Sequence, residues 1–144
     1  MIFSEITSSG AIPALEAAVR FAAQRHAMIA GNIANLETPD YRPTNVSVAG
    51  FRKALSEAVE ARRDAGGQGD LPWRDTREVA MNPDGSLSLH PTTPSPGVLF
   101  HDRNNRDLET VMKDLVENAG AYRVASDLLR TRFDLLRTAI SQRV

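Results

Sequence analysis

The sequence predicts an all-α fold. Its N- and C-terminal helices pack as a coiled-coil hairpin, with a loop-rich, partly disordered middle segment between them. Two observations lead there. Apolar residues recur at steps of three and four near both ends of the chain, a period of about 3.5 residues, typical of a helix lying along a partner helix. Only 6% of the residues are aromatic, with a single Trp73, which suits helices that bury a narrow seam better than a globule.

The C-terminal series is the longer. It runs Leu108, Met112, Leu115, Ala119, Tyr122, Ser126, Leu129, Phe133, Leu136, Ile140. The other faces carry Lys113, Asp114, Glu117, Arg123, Asp127, Arg130, Arg132, Asp134 and Arg137, which suit water or polar neighbours, and no Pro interrupts the run. Asp107 suits the cap and Glu109 the first turn, both with the favourable sign for the helix dipole. Residues 107–144 would make a rod of roughly 55 Å. The N-terminal series runs Ile12, Leu15, Val19, Ala22, His26, Ile29, Ile33, Leu36. Pro13 fits its first turn, where the missing N–H does no harm. Thr38-Pro39 stops it, because proline disfavours the helical conformation in the residue before it. Two long stripes without any other partner pack on each other, or on copies of themselves.

The middle has another character. Val48, Phe51, Leu55 and Val59 predict a short amphipathic helix, and Ala65 to Asp70 reads as a flexible linker. Val79–Met81 and Leu87–Leu89 predict a small hairpin around Asp84-Gly85. Pro91 to Gly97 reads as an extended or disordered connector. No core large enough to fold alone is visible, so much of 64–104 is expected to be mobile. Three parts follow: 1–41, the N-terminal helix and its signature; 42–104, the insertion; and 105–144, the C-terminal helix.

Composition excludes several function classes. Seventeen basic residues stand against eighteen acidic ones, and they are evenly mixed along the chain, so no phosphate-binding stripe can be drawn. There is no cysteine, hence no disulfide, thiolate chemistry or zinc–sulfur site. Glu5 precedes any Lys or Arg, unlike the start of a cleavable signal peptide. His26, His90 and His101 are scattered without a second ligand at metal spacing, and no nucleophile elbow or phosphate loop is present. Neither an enzyme nor a bound cofactor is expected.

The end of the first helix is unusual. Asn32 and Asn35 stand one turn apart where Asn is a poor helix former. They either cap and fray the helix end or hydrogen-bond neighbouring backbone where several chains meet. With these residues the sequence becomes recognisable. Ala30-Gly-Asn-Ile-Ala-Asn35 followed by Thr38-Pro39-Asp40-Tyr41 resembles the N-terminal signature of the bacterial flagellar rod and hook proteins. Asn105-Arg-Asp-Leu-Glu109, Glu117-Asn118, Tyr122, Leu128-Leu129, Phe133, Leu136 and Ala139-Ile140 resemble the proximal-rod branch of that family. The likeness covers both ends, about half of the chain. One departure is Asp40, where the family has a turn glycine, which puts the geometry of that turn in question.

The resemblance implies a structural subunit of the proximal rod in the flagellar basal body, needed for motility and exported without a cleaved signal peptide. Implied partners are further copies, other rod proteins, a membrane-ring adaptor and the flagellar export gate, with no nucleic acid and no small-molecule substrate. The residues expected to carry assembly are Leu15, Val19, Ile29, Asn32, Ile33, Asn35, Leu36, Pro39 and Tyr41 at one end. At the other end they are Leu115, Tyr122, Leu129, Phe133 and Leu136. Phe51 and Leu55 have the aromatic-x-x-x-aliphatic form that the export gate recognises in this family, although any amphipathic helix buries such a pair. Two other classes remain open. A cytoplasmic helical adaptor or chaperone forming a closed dimer accounts for both stripes but not for the Asn and Thr-Pro-x-Tyr signature. A small enzyme using His26 or His101 lacks the constellations it would need.

Overall fold

The computed structural model describes residues 10–93 and 108–141. Among these residues the protein is mostly helical, with one small sheet: α1 (Ile12–Ala34), α2 (Val48–Asp64), β1 (Val79–Met81), β2 (Leu87–Leu89) and α3 (Leu108–Ser141). The all-α expectation therefore holds only coarsely. The expected cap Asp107 and the residues 94–104 of the insertion lie outside the described residues.

α1 and α3 pack together. Asn118 Nδ2 of α3 donates to the Ala22 carbonyl of α1 at 2.9 Å, and the Arg25 guanidinium meets Asp114 at 2.9 Å. Moving forward along α1 thus means moving back along α3, and the pair is antiparallel. With Ala22 level with Asn118, Ile12 is level with about residue 128. The last three to four turns of α3 project roughly 20 Å past the first residue of α1.

The seam is rotated from the predicted stripes. On α3 the buried residues are Val111, Asn118 and Ala125, seven apart, whereas Met112, Tyr122 and Ile140 are exposed, as is Ala119. On α1 the buried residues are Ile12, Ala17, Phe21, Ala22, Arg25, Ile29 and Asn32, while His26 is exposed. The physical reason is that α1 has partners on two sides. One face meets α3 and the adjacent face meets the middle segment, so its buried arc is wider than a coiled-coil seam and centred between the two.

The second face holds the main apolar core. Phe21 stacks on Phe51 with ring centroids 3.9 Å apart and planes 2° from parallel. Trp73 tilts against Phe51 at 5.8 Å. Val46, Val79 and Leu87 close this cluster, and Ala17, Ala58 and Leu71 form a second beside it. The expectation of a mobile middle is corrected for 64–93: this stretch is folded onto α1. Leu71, Trp73, Val79 and Leu87 are too few to make a core by themselves, and Phe21, which lies off the predicted stripe, supplies their partner.

Local chemistry builds the middle. α2 is longer than the predicted helix, and Ser47 caps it by accepting the Gly50 N–H at 2.9 Å, which satisfies one otherwise orphaned donor. The presumed linker is its C-cap: Gly67 N–H reaches the Arg62 carbonyl at 2.8 Å and Gly66 N–H the Arg63 carbonyl at 3.1 Å. This crossed pair needs the left-handed conformation that Gly66 adopts, φ 97°. Buried Arg62 then holds the carbonyls of Gly69 and Gly10. The hairpin forms as expected, with Val79 opposite Leu89 and Met81 opposite Leu87. Gly85 (φ 76°) takes the left-handed place of its loop, and Asp84 accepts from Ser86 N–H at 2.9 Å and Ser86 Oγ at 2.6 Å. Glu78 ties the hairpin to the start of α2, accepting from Ser47 N–H at 2.7 Å and Thr92 Oγ1 at 3.1 Å.

Candidate assembly interface

The signature at the end of α1 is a hydrogen-bonded brace within one chain. Asn32 is 6% exposed, and its amide is used at both ends. Nδ2 donates to the Thr44 carbonyl at 2.7 Å. Oδ1 accepts from Thr44 N–H at 3.2 Å and from the Tyr41 hydroxyl at 2.9 Å. Asn35 ends the helix: its N–H and its Nδ2 both reach the Gly31 carbonyl, at 3.2 and 2.9 Å, and its Oδ1 accepts from Thr38 Oγ1 at 3.2 Å. Of the two sequence readings, capping thus describes Asn35. Asn32 does bond neighbouring backbone, but that backbone belongs to its own chain.

The turn follows the left-handed option. Tyr41 N–H returns to the Thr38 carbonyl at 3.3 Å, and Asp40 has φ 58°, the conformation that a type II turn demands of its second central residue. Asp tolerates it better than most residues, though less well than glycine. Pro39 and Asp40 are exposed at the tip of the turn.

A polar lock that the stripes did not single out fixes the register of α1 against α3. Asp114 pairs with Arg25, which is 3% exposed, and its second oxygen accepts from Asn45 Nδ2 at 3.2 Å. One carboxylate thereby joins α1, α3 and the segment leading to α2. Together with Asn118 on the Ala22 carbonyl, these bonds form in one register alone, and a slip would strand buried polar groups. Only part of the signal was present: Arg25 is a charged residue within a largely apolar helix, between Ala22 and Ile29, whereas Asn118 is one of many polar residues along α3.

The remaining sequence-predicted residues divide by exposure. Ile29 is buried. Leu15, Val19, Ile33, Leu36, Tyr41, Leu115, Leu129, Phe133 and Leu136 are half-buried. Tyr122 is 43% exposed. No protein-family model matches the chain, and no curated protein matches its sequence. What the molecule presents outward is therefore read from its own surface. Among the described residues, the large hydrophobic side chains left exposed all lie on α3: Leu108, Met112, Val116, Tyr122, Val124, Leu128, Leu135 and Ile140.

Phe51 and Leu55 sit in the core, Phe51 fully and Leu55 partly, so the pair is inaccessible to a receptor while the chain is folded. His26 and His90 are exposed, and His101 lies outside the described residues. Among the described residues no group of three His, Asp or Glu is placed to hold a metal ion, and no helix is long and apolar enough to cross a membrane.

Proposed function

We propose that this protein is a structural subunit of the proximal rod of the bacterial flagellar basal body, assembling through its terminal helices. The observation that carries the reading is the bare α3. A helix with apolar residues on faces that the described residues leave exposed is a helix made to be covered. The Asn32, Asn35, Thr38, Pro39, Tyr41 signature supplies the family, and the brace it forms holds the end of α1 in a defined shape for neighbours to meet. The partners on this reading are further copies, other rod proteins and the membrane-ring adaptor. Export proceeds with the chain unfolded, the state in which Phe51 and Leu55 become accessible to the export gate.

Leu129→Asp tests the reading. This half-buried residue lies on the projecting part of α3, and a charge there costs several kcal/mol if a neighbour covers it. The variant is expected to abolish motility and to be missing from isolated basal bodies, with the purified protein still helical. Normal motility refutes the reading. Recovery of the unaltered chain only from the cytoplasm would favour a helical adaptor instead.

A further inference from the structure

α3 carries a second heptad stripe, separate from its seam with α1. Ala121, Val124, Leu128, Thr131, Leu135 and Thr138 follow one another at alternating steps of three and four, the a and d spacing of a two-helix seam. At about 100° per residue, this stripe lies roughly 120° around the helix from Val111, Asn118 and Ala125. α1 therefore does not cover it. Val124 is 60%, Leu128 50% and Leu135 57% exposed.

The two threonines fit such a seam. Thr131 Oγ1 donates to the Asp127 carbonyl and Thr138 Oγ1 to the Asp134 carbonyl, each at 2.9 Å. Their hydroxyls are satisfied within the helix, so burying them strands no donor, and only their methyl groups need to pack.

We infer that the occupant of this stripe is α3 of a second copy of the chain, lying parallel and in register. The flanking charges select this orientation. Asp127 and Asp134 occupy successive positions on one flank, and Arg132 lies on the other. In a parallel pair, a residue on the first flank faces the residue five further on across the seam, so each Asp127 meets the partner helix's Arg132, twice by symmetry. In an antiparallel pair the acidic flanks face each other, and the four carboxylates repel. Asp134 already has Arg137 at 3.7 Å in its own helix. Asp127 and Arg132 have no ion-pair partner among the described residues. A seam of five turns is short, so the association depends on concentration. It leaves Leu108, Met112 and Val116 free for another neighbour. The inference does not rest on the rod reading: pairing is read in purified protein and rod incorporation in cells, so each fails without the other.

The absence of cysteine makes the test clean. Val124→Cys, Leu128→Cys and Leu135→Cys are each introduced alone into the full chain and oxidised, with Arg130→Cys, off the stripe, as control. Parallel pairing in register predicts disulfide-linked dimers in all three and none in the control. Linkage of Val124→Cys to Leu135→Cys in a mixture, with none in the single variants, indicates antiparallel pairing, in which these two positions face each other, and overturns the inference, as does a chain that sediments as a monomer at millimolar concentration. Asp127→Arg and Arg132→Asp are each expected to weaken pairing about tenfold, and the two together to restore it. Failure of the double variant to recover also overturns it. Circular dichroism on every variant confirms that the helices persist.

Discussion

Replacing Asn32 with Ala removes three hydrogen bonds in one step and shows whether the signature works within the chain or between chains. The lost bonds are those to the Thr44 carbonyl, from the Thr44 N–H and from the Tyr41 hydroxyl, at 2.7, 3.2 and 2.9 Å. Each contributes about 0.5–1.5 kcal/mol net. Ala restores up to about 0.7 kcal/mol through its better helix propensity. The expected loss is about 2–3 kcal/mol, measured by urea unfolding of the isolated protein. Hydrogen exchange should show the Thr44 amide losing protection before the rest of α1. Tyr41→Phe removes one bond of the three and should cost about 1 kcal/mol. If Asn32→Ala unfolds within about 0.5 kcal/mol of the parent, with the Thr44 amide still protected, the brace contributes nothing to the fold. The asparagine would then have to act between chains.

Three other perturbations probe separate parts of the structure. Asp114→Ala strands buried Arg25, and the same titration should show a loss of about 3 kcal/mol; Arg25→Met with Asp114→Leu should recover most of it. Asp40→Gly relieves a left-handed aspartate, φ 58°, and should raise stability by about 0.5–1 kcal/mol, seen as a higher midpoint of thermal unfolding. The bonds from the Ser86 hydroxyl and N–H hold the Asp84 carboxyl below its ordinary value of 3.8. The ionised form therefore supports the hairpin turn above that ordinary value, and the support is lost as pH falls through the lowered folded value. An NMR titration of Asp84 should show the depressed midpoint, and Ser86→Ala should move it back up.

Elements that depend on local chemistry were legible residue by residue. Pro13 placed the start of α1 and Asp84-Gly85 the hairpin turn, because each constrains the backbone of its immediate neighbours; Thr38-Pro39 only bounded the end of α1, which stops earlier, at Ala34 with Asn35 as its cap. Pairing α1 with α3 was also legible, since two long periodic helices in a short chain have few other partners. The angle at which they meet was not. Val111 and Ala125 took the places expected of Met112 and Tyr122, and Ala17 and Phe21 were buried beside a stripe that left His26 outside. Residues 65–70 read as a linker because four of the six residues from Ala65 to Asp70 are small, whereas Gly66 and Gly67 terminate a helix and Gly69 accepts from Arg62.

By itself, then, the sequence determined the two long helices, the turn residues, the hairpin and the signature, all set by forces acting within a few residues. The tertiary structure alone decided which arc of each helix is buried. It also decided that the middle segment folds onto Phe21, that Asn32 bonds within its own chain, and that Arg25, Asp114 and Asn118 set the register. Those outcomes depend on contacts between residues far apart in the chain, and periodicity within one helix carries no information about how many partners surround it.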